Sequence, residues 1–299
     1  MTVLLICLLG VNVSFIECAP YTKGIIESQD GTYRIAIDRI PDAEVFKERM
    51  SLLKDGTPVW DKEHHSGDYY YVSNTGCVVS KITINMNAVL AFHDRTGVIR
   101  NVINIPSACG GTFTNSGEFF FFLSGSEGLY MFDNTGAEID NFGVCNKYTV
   151  SDGGHIVTVI RDNRLIVHNN GMIVWETSIP SVHLRAMVMS HDGSLLSLID
   201  NKYVWVFDIS AKKEIFRKEI PNPVALAISP EGSLFAIARE ERDITSTVTV
   251  LLLNIKNKLL WQWSHKFNEA CETVHGIEIT DGSELHVYST DDLFRFAVQ

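Results

Sequence analysis

The sequence predicts an all-β chain, a seven-bladed β-propeller of four-stranded antiparallel blades whose last blade is incomplete in sequence or closed by an N-terminal strand. Three observations carry this expectation. A Ser/Thr-x-x-Gly turn recurs along the chain after β-like runs. A second turn, Asp/Asn/His-x-x-Gly/Asn, follows each of the first six by about 17–25 residues and leads into a strand that often bears Trp. Between the turns the chain alternates or runs apolar with β-branched and aromatic residues, as in Phe119 to Leu123, Ile156 to Ile160, Val204 to Phe207 and Val248 to Leu253. That is a strand signature, and no stretch carries the period of an amphipathic helix.

The first turn appears at Ser28-Gln-Asp-Gly31, Ser73-Asn-Thr-Gly76, Thr114-Asn-Ser-Gly117, Ser151-Asp-Gly-Gly154, Ser190-His-Asp-Gly193 and Ser229-Pro-Glu-Gly232, with a shorter copy at Thr280-Asp-Gly282. The glycines are 45, 41, 37, 39, 39 and 50 residues apart. The second turn appears at Asp94 to Gly97, Asp133 to Gly136, His168 to Gly171 (with Trp175) and Asn254 to Asn257 (with Trp261). Asp55-Gly56 with Trp60 is a shorter version, and Asp208 to Ala211 lacks the glycine, with Phe216 in the aromatic place. Gly and Asn tolerate the left-handed backbone of a hairpin turn, and Asp or Asn at its start accepts amide hydrogen bonds ahead of it. Each unit therefore reads strand, turn, strand, loop, strand, turn, strand. The expected spans are 21–67, 68–107, 108–145, 146–182, 183–223, 224–271 and a three-stranded 272–299. Residues 20–299 form a single repeat domain on this reading.

Residues 2–16 carry no charge. They read either as a secretory signal peptide or as the strand that completes the last blade. The apolar run is short for a spanning helix, so no integral membrane span is expected. It lacks a preceding Lys or Arg, and Glu17 fits a cleavage site poorly. Gly10 lies 18 residues before Ser28, as Gly171 lies 19 before Ser190, so the phase suits a fourth strand. The first reading makes the protein secreted, periplasmic or otherwise extracytoplasmic, and the second allows a cytoplasmic one.

The 299 residues hold 36 acidic and 25 basic side chains, a formal charge of −11. Without a basic stripe, nucleic-acid binding and polybasic membrane attachment are disfavoured.

The Asp-x-x-Gly turn followed by a Trp-bearing strand resembles the tryptophan-docking repeat of quinoprotein-type (PQQ-like) propellers. The Ser-x-Asp-Gly turn, best seen at Ser190 to Gly193 and Ser229 to Gly232, resembles WD40-like repeats. The resemblance covers residues 21–299 and implies the fold. It implies no quinone chemistry, because no cofactor or calcium ligands match, and no cofactor is expected.

Candidate site residues gather on the connections between blades. His64 and His65 lead into the second blade, Cys109 into the third, Cys145 into the fourth, His183 into the fifth, Asn222 into the sixth, and Cys271 and His275 into the seventh. Cys109 and Cys145 each stand eight residues before a turn glycine, Gly117 and Gly153, which predicts equivalent points in adjacent blades. They read as small apolar fillers or as a bridged pair. Such a ring of His and Cys suits zinc or copper in type, yet no C-x-x-C, H-x-x-x-H or H-E-x-x-H pattern accompanies it, and no metal site is assigned. Ser190-His191-Asp192 sits on the repeated turn and reads as structural rather than catalytic. Ser124 to Gly128 reads as a turn between second and third strands. Glu240, Glu241 and Asp243 read as a solvated loop, Trp60, Trp175 and Trp261 as packing between blades, and the insertions near 39–46 and 239–246 as places for partner contacts. No catalytic residue emerges. The expectation is a non-enzymatic scaffold that binds a protein or glycan through one face, with a metal-assisted hydrolase or lyase at the channel mouth as the alternative.

Overall fold

A computed structural model describes residues 25–39, 47–65, 69–85, 87–179, 184–242, 246–267, 274–280, 284–289 and 293–298. The two readings of residues 1–19 and the first-blade insertion at 40–46 lie outside these. The described elements are all strands, and they fall into two compact units. The N-terminal unit takes the described residues up to 145 together with 152–154, and the C-terminal unit takes 146–151 and those from 155 onward.

The N-terminal unit holds three sheets, each in chain order and antiparallel throughout. The first is β1 (Ile25–Glu27), β2 (Tyr33–Arg39), β3 (Lys47–Lys54) and β4 (Thr57–His65). The second is β5 (Tyr69–Val72), β6 (Val78–Ile84), β7 (Asn87–His93) and β8 (Ile99–Ile105). The third is β9 (Ala108–Phe113), β10 (Phe119–Ser124), β11 (Gly128–Asp133) and β12 (Glu138–Asn141).

The C-terminal unit holds four more. They are β13 (Lys147–Val150), β14 (Ile156–Arg161), β15 (Arg164–Asn169) and β16 (Met172–Ser178); then β17 (Ala186–Met189), β18 (Leu195–Ile199), β19 (Tyr203–Asp208) and β20 (Lys213–Glu219). These are followed by β21 (Pro223–Ile228), β22 (Leu234–Arg242), β23 (Ser246–Asn254) and β24 (Leu259–Lys266), and finally by the three strands β25 (Val274–Ile279), β26 (Glu284–Ser289) and β27 (Leu293–Ala297). Apart from Pro223, each sheet falls inside its expected span. The seven sheets are blades of a seven-bladed β-propeller.

Burial explains the sequence patterns. The second and third strands of a blade are covered on both sides, so β18 is buried at every position and β10 at all but the first. That coverage suits a continuous apolar run rather than an alternating one. Fourth strands are outer edges and alternate, as in β16 and β20. The cores lie between successive sheets. Val79, Leu90 and Phe92 meet Phe120, Phe122 and Phe132 in the N-terminal unit, and Leu165 and Val167 meet Leu196, Leu198 and Trp205 in the C-terminal unit.

Both turn motifs are built as their residue types predict. The first residue of the Ser/Thr turn is buried in all six full copies, and its hydroxyl accepts an amide hydrogen bond from four or five residues ahead, such as Leu195 N to Ser190 Oγ at 3.0 Å. The left-handed glycine of the fourth copy is Gly154, at φ +74°. In the second turn, Asp94 Oδ1 accepts from Thr96 N at 2.8 Å and Val98 N at 3.0 Å. Asp133 and Asn254 repeat this pattern. Every one of the six third-to-fourth strand pairs shifts register once, close to this turn. An extra residue is what a left-handed turn followed by a bulge inserts.

The aromatic side chain after the second turn reaches the next blade. Trp60 lies beside Gly97 and stacks with His93, with ring centroids 6.2 Å apart. Trp175 meets Phe207 at 5.9 Å, Phe216 meets Phe235 at 6.0 Å and Trp261 meets Phe296 at 4.9 Å. Such pairs add about 0.5–1.5 kcal/mol each beyond area burial. The packing role expected of the three tryptophans is therefore the one they have. Ser124 to Gly128 joins β10 to β11, also as expected.

Two expectations are corrected. Glu240 is no solvated loop residue, because β22 runs on to Arg242 and strand alternation turns Glu240 inward, where 2% of it is exposed. Cys109 and Cys145 are not equivalent, because the left-handed glycine is Gly154 and not Gly153. That one-residue slip exchanges inside for outside. Cys109 is exposed on β9, and Cys145 is buried ahead of β13.

Candidate functional site

Because the strands of a blade alternate in direction, both turn motifs lie at one end of each sheet. The second-to-third turns and the connections from one blade to the next lie at the other, here the connection end. Of the eight candidate residues, the six whose backbone is described (His64, His65, Cys109, Cys145, Asn222 and His275) belong to the connection end. His183 and Cys271 lie outside the described residues, as do the side chains of His64, His65 and His275. Cys109, Cys145 and Asn222 can be placed.

In the N-terminal unit the connection into β9 is held by β5 and β6. Lys81 Nζ donates to Cys109 O at 3.1 Å and lies over the Tyr69 ring, 4.6 Å from its centroid. Gly111 N donates to Tyr71 Oη at 3.3 Å. Burial pushes the Tyr71 hydroxyl up to about 12, a rise that its bond from Gly111 opposes and the neighbouring Tyr69 adds to. No disulfide joins any two of Cys77, Cys109 and Cys145. Cys109 and Cys145 are therefore not bridged to each other. Among the described residues no three of His, Cys, Asp and Glu are grouped so that they could hold a metal ion.

In the C-terminal unit the connection end carries a hydrogen-bonded chain across three blades. Lys147, at the start of β13, donates from Nζ to Arg185 O at 3.1 Å. Arg185 stands just before β17. Its Nε donates to Asn201 Oδ1 at 2.6 Å, and its Nη1 to Asn222 Oδ1 at 3.0 Å and Pro223 O at 2.9 Å. Asn222 has a left-handed backbone, φ +47°, which Asn tolerates better than most residues. From there its side chain donates to Glu240 O at 2.8 Å, while Glu240 N donates back to Asn222 O at 3.1 Å. Ser246 Oγ donates to Glu240 Oε1 at 2.5 Å. Of the candidates whose side chains are described, Asn222 alone joins this chain.

Sequence reading missed Lys147, Arg185, Asn201 and Glu240. A signal existed: Arg185 stands five residues before Ser190, as Cys109 stands five before Thr114. The repeat offset that singled out a cysteine also marked an arginine. What the chain offers chemically is a fixed guanidinium and amide groups on a strand framework, an arrangement for recognition. Ser190 is fully buried and donates to Asp192 Oδ1 at 2.7 Å, so that trio is a turn staple.

The fold has solved counterparts. The chain is similar to KlHsv2 with loop 6CD replaced by a Gly-Ser linker, with 11% identity, a TM-score of 0.61, and 89% of this chain and 88% of that one covered. It is similar to a eukaryotic initiation factor structure, with 13% identity and a TM-score of 0.61, covering 82% of this chain and 65% of that one. It is also similar to the β-propeller domain of Cps50 (Swd1) from Myceliophteria thermophila, with 10% identity, a TM-score of 0.56, and 94% and 97% covered. At such identities the likeness defines the fold, a β-propeller, and nothing finer. No known family profile matches the chain, and no curated protein matches its sequence. Among the described residues no helix is long and apolar enough to cross a membrane.

Proposed function

We propose that the protein is a non-enzymatic propeller scaffold that binds a protein partner through the connection end of its C-terminal unit. The observation that carries this reading is the chain Lys147–Arg185–Asn222–Glu240. It fixes polar side chains, Arg185 exposed among them, on rigid strand ends of three successive blades. Rigid elements that present polar loop residues are where recognition is ordinarily built. A polar rim with satisfied hydrogen bonds suits a protein interface. Within the propellers, Trp60, Trp175 and Trp261 on their neighbouring blades support kinship with tryptophan-docking repeats.

The test places a photoreactive phenylalanine analogue at Lys202, exposed in the turn between β18 and β19, or at Lys256, exposed in the opposite-end turn between β23 and β24. After irradiation in cells that express the protein, position 202 should yield one discrete protein adduct and position 256 none. Adducts from position 256 alone, or a glycan that displaces the adduct from position 202, would overturn the reading.

A further inference from the structure

We infer that Arg185 is the anchor for a carboxylate on an acidic segment of the protein partner, an inference that rests on the reading just proposed. The guanidinium is held by three acceptors, and all three are neutral: two side-chain amide oxygens and one backbone carbonyl. Asn201 reaches Arg185 from the turn between β18 and β19, and Asn222 from the connection into β21. The head group is thus clamped from two sides while its residue stays exposed. The clamp consumes Nε and both N–H groups of Nη1. The two N–H groups of Nη2 have no partner among the described residues, and no carboxylate there neutralises the charge.

A basic side chain used for stability ordinarily meets an acid, and three others in the same unit follow that rule. Lys202 pairs with Glu219 at 3.2 Å, Arg164 with Glu176 at 2.9 Å and Arg239 with Glu241 at 3.2 Å. The acids around Arg185 have donors of their own. Asp200 accepts from the amides of Lys202 and Tyr203, and Glu240 from Ser246. Arg185 departs from this pattern: its rotamer is fixed and its charge is left for a ligand. An ordered side chain loses little further entropy when it binds. A charge-assisted bond from guanidinium to carboxylate is stronger than one between neutral groups.

The chemistry favours a single carboxylate over a polyanion. One guanidinium nitrogen has no partner among the described residues; of the other cations here, Lys147 bonds through Nζ to the carbonyl of Arg185 itself and Lys202 is paired with Glu219. A chain of net charge −11 repels a nucleic acid or an anionic membrane as a whole, whereas one acidic side chain meets only the local field.

The experiment selects random decapeptides on the intact wild-type protein and then measures their affinities for variants. The selected peptides should carry Asp or Glu at a fixed position. Replacing that residue by Asn or Gln, or making Arg185→Gln, should weaken binding about tenfold or more, while Arg164→Gln leaves it unchanged. Asn201→Ala, which keeps the charge and loosens the clamp, should weaken binding less than Arg185→Gln. Arg185→Glu should regain affinity for peptides in which the acid is changed to Lys, a rescue that a merely unfolded variant cannot give. Peptides without a required acid, equal affinities for Arg185→Gln and wild type, or displacement by inorganic phosphate or phosphatidylserine vesicles but not by acidic peptide would overturn the inference. Of these, the first two leave the scaffold reading standing. Failure to select any peptide would count against both.

Discussion

Two turn glycines that share a positive φ differ in what they do, and the difference can be measured. Gly31 and Gly128 both have positive φ, +72° and +106°. A Cβ on Gly31 meets nothing within 4 Å, whereas one on Gly128 would lie 2.0 Å from the carbonyl carbon of Gly143. Gly143 cannot retreat freely, because Leu129 N donates to its carbonyl at 3.1 Å and Phe142 N donates to Leu129 O at 2.9 Å. Gly31→Ala should therefore cost about 1 kcal/mol, the left-handed penalty alone. Gly128→Ala should cost about 3 kcal/mol or more, since overpacking adds to that penalty. Urea midpoints at unchanged m decide the matter, and equal losses would show that the close approach at Gly128 carries no weight. The repeat makes Gly31 legible as a turn glycine. The demand on Gly128 comes from a segment fifteen positions on and shows only in the fold.

At the scale of the element, the turns were legible and the register was not. Ser190 shows why. Its position three before a glycine is a local pattern, and its job is local: it accepts from Leu195 N while donating to Asp192. Ser190→Ala should remove about 1–3 kcal/mol, the cost of leaving a buried amide without its acceptor. It should also speed hydrogen exchange at the Leu195 amide. Unaltered stability and exchange would overturn the structural reading of Ser190-His191-Asp192. By contrast, the bulge between third and fourth strands is set by how two strands meet, as is the inward turn of Glu240. A charged run such as Arg239 to Arg242 looks solvated until the strand continues through it. The repeat offset could mark Arg185, but not its role, because its acceptors lie 16, 37 and 38 residues away. Asn222 was marked by its place on a connection, and what it holds was not.

At the scale of the whole molecule, repetition turns a local device into a global dependence on pH. Burial alone would raise the carboxyls of Asp30, Asp94 and Asp133 in the N-terminal unit and of Asp192 in the C-terminal unit, yet hydroxyl and amide donors of their own turns outweigh it and hold all four below the usual range. Asp94 is also gripped by Arg100, whose Nε lies 2.7 Å from its Oδ2. Glu231 is lowered chiefly by the Ser233 hydroxyl. A carboxyl whose folded pKa lies below its unfolded value of about 3.9 (Asp) or 4.3 (Glu) contributes stability that is complete above that value and lost as pH falls through the folded one. The sign is the same for these five carboxyls, so their contributions add. Stability should therefore drop below about pH 4, and the drop should steepen toward the lower folded values as successive turns protonate. Asp94→Asn removes one proton uptake and should flatten this acid limb. Chemical denaturation across pH 2.5 to 5 measures the limb. A flat profile, or equal slopes for Asp94→Asn and wild type, would mean that the turn carboxylates do not couple protonation to the fold.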